Sequence, residues 1–95
     1  MDLVIRFSEQ KNQLLKSIRG ISFEEVVVLI YEGKVFDDLK HPNPIRSNQR
    51  IYLVKINKYV YAVPYVINPK NQEIFLKTIY PSRKYTKLYL KGEKS

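Results

Sequence analysis

The chain has no cysteine among its 95 residues, which removes disulfides, thiolate zinc sites and cysteine nucleophiles together and fits a reducing compartment. It has a single histidine, His41, and no Asp/Glu cluster at ligand spacing, so the sequence offers no metal site and implies no cofactor. Long apolar runs are missing too. The longest, Val26 to Tyr31, is far too short to span a bilayer, and Met1 to Phe7 lacks a basic segment followed by a long apolar run. A soluble cytoplasmic protein without a membrane partner is the expectation. Glycine and proline are few, at 3 and 5, and there is no low-complexity tract, so one ordered domain is expected over residues 1–92 with a flexible tail at 93–95.

What is abundant is positive charge, a net of +8. Residues 1–33 carry four cations against five acids, a net of −1, so residues 34–95 hold +9. A basic second half beside a near-neutral first half points to a one-sided field that attracts RNA, DNA or an acidic protein; the plainer alternative is a lysine-decorated, soluble surface.

Along the chain, Leu3 to Phe7 reads as a short strand, and Ser8 as the N-cap of a helix from Glu9 to about Arg19 that Gly20 stops. Leu14, Leu15 and Ile18 form its apolar stripe, leaving Lys11, Asn12 and Lys16 on or near the wet side. Ile21-Ser22-Phe23-Glu24-Glu25-Val26 is the sharpest local signature: a capping box between Ser22 and Glu25 with Ile21 as a staple on Val26. Phe23, Val26, Val27 and Ile30 then recur at helical spacing as the core-facing stripe of a second helix, ended by Gly33. Capping and dipole chemistry account for Glu24 and Glu25 without catalysis.

Lys34 to Leu39 suits an edge strand, and Lys40 to Gln49, with two prolines, a loop. His41 in that loop has the titration range for phosphodiester cleavage, although a lone loop histidine is more often a bystander. Arg50–Ile56 and Tyr59–Val66 read as a hairpin around Asn57-Lys58, pairing Ile56 with Tyr59, Val54 with Tyr61, Tyr52 with Val63 and Arg50 with Tyr65; Leu53, Lys55, Ala62, Phe75 and Lys77 share the opposite face. Pro64 lacks a donor, which calls for a free flank or a bulge. A third strand, Gln72 to Tyr80, breaks at Pro81, and Ser82 opens a short helix carrying Arg83, Lys84 and Lys87. Tyrosines interleaved with cations suit single-stranded RNA, where rings stack bases and cations take phosphates; tyrosine is also a common strand residue.

The order Phe7, Lys11, Asn12, Gly20-Ile21-Ser22-Phe23-Glu24-Glu25-Val26, with Asp37 after the helix, resembles the BrnT family of bacterial type II toxins, small ribonucleases of the RelE/ParE superfamily. A basic residue opening the next strand at Arg50, a hairpin, a third strand and Ser82-Arg83-Lys84 running into a final helix extend the similarity over nearly the whole chain. The resemblance implies an α+β fold, with two N-terminal helices packed on a small twisted antiparallel sheet and a short C-terminal helix. It also implies RNA cleavage in the cytoplasm and neutralisation by a cognate antitoxin, a DNA-binding protein encoded alongside.

For such a metal-independent endoribonuclease, acting on mRNA that is free or ribosome-bound, Arg50 and Arg83 are the expected ligands of phosphate and transition-state charge. Lys77 and Lys84 orient the scissile nucleotide, Tyr80 or Tyr85 stacks a base, and Lys87 adds to the cationic helix. Proton transfer would fall to His41, Lys55, Lys77 or a tyrosine. The expectation requires Arg50 and Arg83 to converge. Two other classes compete: a toxin fold directed at a non-RNA target such as gyrase, and a noncatalytic RNA- or protein-binding module.

Overall fold

The computed structural model describes residues 4–40, 43–46 and 48–90; His41 and the tail at 93–95 lie outside the described residues. The elements are β1 (Val4–Phe7), α1 (Glu9–Arg19), α2 (Phe23–Tyr31), β2 (Asp37–Lys40), a 3-10 turn (Pro44–Arg46), β3 (Gln49–Ile56), β4 (Tyr59–Asn68), β5 (Glu73–Leu76), β6 (Tyr80–Pro81) and α3 (Arg83–Tyr89). The class is α+β. The strands form one sheet in the order β1-β5-β4-β3-β2, with β6 also on β4. Every pairing is antiparallel except β1 with β5, which is parallel, so the sheet is mixed rather than the antiparallel one expected.

Local chemistry explains most boundaries. Ser8 accepts from the Lys11 N–H and starts α1; Gly20, at φ 69°, ends it in the left-handed conformation that glycine adopts without strain. Ser22 and Glu25 close the expected capping box. After α2, the Lys34 N–H still bonds the Leu29 carbonyl, which ties the chain to the helix end. Strand β2 therefore begins at Asp37, later than the residue-34 start expected.

Hairpin β3–β4 has the anticipated register, with Ile56 opposite Tyr59 and Arg50 opposite Tyr65. Its turn residues Asn57 and Lys58 both take positive φ, 53° and 67°, the signature of a type I′ turn, here made without glycine. Pro64 is accommodated by a bulge. Leu76 pairs with Tyr65 and Tyr80 with Ala62, so three residues, Lys77 to Ile79, face two, Val63 and Pro64. The Pro64 carbonyl accepts from the Lys77 N–H, and its missing donor points into this irregular stretch. The third strand thus breaks after Leu76, and Pro81 itself still pairs with Tyr61.

The sheet carries a core on each face. Leu15, Ile21, Phe23 and Val26 from the first two helices pack against Val54, Ile56, Val63, Tyr65, Ile74, Leu76 and Ile79. Burial of Phe23, stacked on Phe7 at 5.0 Å, contributes about 1.5–3 kcal/mol. The opposite face holds a smaller cluster of Leu53, Val60, Ala62 and Leu90, with Tyr85 and Tyr89 of α3 against it.

The apolar stripe expected on α1 is corrected: Leu14 and Ile18 are 51% and 67% exposed, and the inward residues are Leu15 and Asn12. Asn12, expected on the wet side, is fully buried because its amide serves α2. Its Oδ1 accepts from the Phe23 N–H at 2.7 Å and its Nδ2 donates to Glu24 at 2.8 Å, so the side chain satisfies an orphan donor at the helix start. On α2, Phe23 and Val26 are buried as expected, while Val27 and Ile30 are only partly covered.

Candidate functional site

Strand alternation sends neighbouring residues to opposite faces, and β2 shows the consequence. Asp38 lies on the α1/α2 face, paired across the ladder with Tyr52. One oxygen of its carboxylate accepts from Arg50 Nε at 3.0 Å and from the Tyr65 hydroxyl at 2.7 Å, and Arg50 also donates to the Asp38 carbonyl at 2.7 Å. Tyr65 stacks on Tyr52 at 4.2 Å. Asp37, one residue earlier, lies on the other face and accepts from Tyr89 of α3 at 3.0 Å. Each acid of the doublet therefore secures a different layer.

The electrostatics of the Asp38 network are those of a closed structural unit. The Asp38 hydrogen bond raises the Arg50 pKa further, keeping the guanidinium charged and already neutralised. Burial, then the hydrogen bond to Asp38, pushes the Tyr65 hydroxyl far above its ordinary range, and burial also raises Tyr52. Neither phenol is suited to act as a base. Asp38 belongs to no motif of the sequence; its one signal there is an acid in an edge strand beside a strand that arginine opens.

On the other face, α3 starts where β6 ends. Ser82 accepts from the Tyr85 N–H as N-cap, and its own N–H bonds the Val60 carbonyl at 2.9 Å. Thr86 Oγ1 accepts from the Val60 N–H at 2.9 Å and donates to the Ser82 carbonyl at 2.7 Å, so the first turn of α3 is locked to β4. The helix is short but not loose. Arg83, Lys84 and Lys87 stand exposed on this anchored segment, and Lys84 Nζ lies 5.3 Å from the Tyr85 ring centre. Among the described residues, none of Lys77, Arg83, Lys84 and Lys87 is in a salt bridge.

The fold brings together part of the expected site. Tyr80, directly opposite Ala62, shares the α3 face with Tyr85 and with the cations of α3. Lys77 joins them, since its N–H bonds the carbonyl of Pro64, whose ladder partner Ile51 packs on the α3 face. Lys55 sits across the ladder from Val60 and lines an open cleft of about 370 Å³ with Glu25, Val28, Leu29, Ile56 and Asn57.

Arg50 does not join this group, and the expected convergence with Arg83 fails. Arg50 is on the α1/α2 face level with Tyr65, whereas Arg83 follows the residue bonded to Val60 on the other face. Five residues of β4 separate those levels, roughly 17 Å by strand rise, with the sheet in between. The reason is parity, because even-numbered positions of β3 face the first two helices. His41 lies outside the described residues, and no group of His, Cys, Asp or Glu among those described could hold a metal ion. No described helix is long and apolar enough to cross a membrane. Comparisons of the chain with protein-family models, with curated proteins and with solved structures found no match.

Proposed function

We propose that this chain is the toxin of a type II toxin–antitoxin pair, a metal-independent endoribonuclease that cleaves mRNA in the cytoplasm and so arrests translation and growth. The observation that carries the reading is the anchored cationic edge: Lys77, Arg83, Lys84 and Lys87, without salt bridges to described acids, beside Tyr80 and Tyr85 on one face of the sheet. The resemblance of the α1–α2 signature to BrnT toxins supplies the biological setting. Cations on a rigid strand-to-helix junction grip a polyanion without first ordering a loop.

Cleavage on this surface would proceed by attack of a ribose 2′-oxygen on the adjacent phosphorus, with loss of the 5′-oxygen and formation of a 2′,3′-cyclic phosphate. Arg83 and Lys84 stabilise the added negative charge of the phosphorane. Lys77 and Tyr80 are the described side chains available to exchange the protons, one leaving the 2′-hydroxyl and one arriving at the 5′-oxygen. Arg50 takes no part, since Asp38 occupies it on the far face. An antitoxin would cover the same cations with acidic and apolar groups.

Incubating the purified protein with mRNA in EDTA, with and without ribosomes, tests the reading. Fragments bearing 5′-hydroxyls are expected, and Arg83→Ala should remove both the fragments and toxicity while the melting temperature holds. Undiminished cleavage by Arg83→Ala would overturn the assignment. A second reading, binding without cleavage, is favoured by the displacement of Arg50 from the cationic group; salt-sensitive retention of intact RNA would select it.

A further inference from the structure

Phe75 is oddly placed for a phenylalanine. It sits on β5, an internal strand with β1 on one side and β4 on the other, yet 42% of it is exposed. It is directed to the α3 face, opposite Val66 on β4 and Arg6 on β1, where the sheet extends past the patch that α3 covers around Leu53, Val60 and Ala62. The other three phenylalanines are each stacked on a ring or half-buried against one: Phe7 on Phe23 and Phe36 on Tyr89. Phe75 has no ring partner among the described residues, and neither has Tyr80, five residues on, on the same face and 40% exposed. Between them, the bond from the Lys77 N–H to Pro64 sets exposed Lys77 at that face, and Arg83 and Lys84 follow Tyr80 after two residues.

We infer that Phe75 is a base-stacking residue for single-stranded RNA, and that Phe75, Lys77 and Tyr80 form a track along β5 and β6 leading to the cations of α3. This deepens the reading above and rests on it. An acidic protein would answer the cations alone. A single strand answers both features, because phosphates and flat bases alternate along it as cations and open rings alternate here. Neighbouring Arg6 is already engaged by Glu73 at 3.1 Å, so the phosphate ligand beside Phe75 is Lys77.

The chain contains no tryptophan, so Phe75→Trp installs a sole indole reporter. The probe is a short 2′-O-methylated single-stranded RNA, which binds but lacks the 2′-hydroxyl needed for cleavage. Saturable quenching is expected for Phe75→Trp and little for Tyr31→Trp, whose indole would sit on α2 beyond the other face. A duplex of the same sequence should quench weakly, because its bases are already stacked. Phe75→Ala should weaken single-strand affinity about 5- to 100-fold, with Phe75→Tyr restoring most of it. If Phe75→Ala fails to fold, Phe75→Leu keeps the apolar bulk and should show the same loss.

Wild-type affinity in Phe75→Ala or Phe75→Leu, or binding to Phe75→Trp without quenching, would overturn the inference. It would leave the ring to a protein partner, while loss of binding in Arg83→Ala would still uphold the RNA reading. Failure of the wild-type chain to bind the probe at all would end both.

Discussion

On the face that carries α1 and α2, polar groups pair in matched sets: Asn12 with Phe23 and Glu24, and Asp38 with Arg50 and Tyr65. The face of α3 has a smaller core and a margin of cations and open rings. No buried side-chain polar atom among the described residues lacks a partner, so the interior behind the first face holds no unpaired polar group. An arginine reads alike in both settings until its neighbours are known. Arg50 holds the fold together, and Arg83, without a salt bridge to a described acid, remains available to an anion.

The sharpest break of that contrast is charge removal on the two faces. Replacing Arg83, Lys84 and Lys87 together by alanine should reduce the slope of log affinity for RNA against log salt by about 3, one for each lost phosphate contact, and leave thermal stability within about 0.5 kcal/mol. Arg50→Ala should do the reverse. It removes two charge-assisted hydrogen bonds, leaving the Asp38 carboxylate with Tyr65, and should cost about 1–3 kcal/mol in a denaturant titration with the salt slope unchanged. A shared effect on RNA affinity would mean that the faces are not independent.

Asn12→Ala probes the satisfied face more deeply, since it leaves the Phe23 N–H buried without an acceptor; a loss of about 1–3 kcal/mol is expected, with RNA affinity unaltered. A smaller change of opposite sign should come from Lys58→Gly. The residue holds φ 67°, which costs an L-residue about 1 kcal/mol, so the variant should melt higher by a few degrees. The least effect concerns acid. Asn12, more than Lys16, lowers the Glu24 pKa from its ordinary 4.5, so the stability Glu24 contributes is complete above about pH 4.5 and is lost as pH falls through the lower folded value. Glu24→Gln should flatten that part of the acid limb of the melting profile, and an unchanged limb would assign acid sensitivity to other carboxylates.

Local signals proved readable where a few consecutive residues decide the outcome. The Ser22–Glu25 box, the Gly20 stop and the Asn57-Lys58 turn are interactions over at most four positions, and the turn carried the whole β3–β4 register with it. The bulge beside Pro64 was legible for the same reason, a missing donor with only two remedies. Less was legible once a contact crossed between elements. Asn12 looked like a solvated helix residue because its partners come eleven and twelve positions later, from α2. Leu14 and Ile18 looked buried because apolar spacing shows that a stripe exists and not how wide the surface beneath it is. Of the site, the cluster near α3 was visible as a run of adjacent residues, whereas Phe75 looked like an ordinary strand residue until the extent of α3 was known.

By itself, the amino-acid order determined the two N-terminal helices, the β3–β4 hairpin with its register and which residues share a face of each of those strands, because backbone hydrogen bonding and period-two alternation act within short separations. It also determined that positive charge gathers in the second half. Only the tertiary structure decided which helix covers which face, that β1 joins β5 in parallel, and that Arg50 meets Asp38 while Arg83 stays exposed beside Tyr80 and Tyr85. Those outcomes depend on how much area each helix has to bury against the sheet, and no window of sequence contains that quantity.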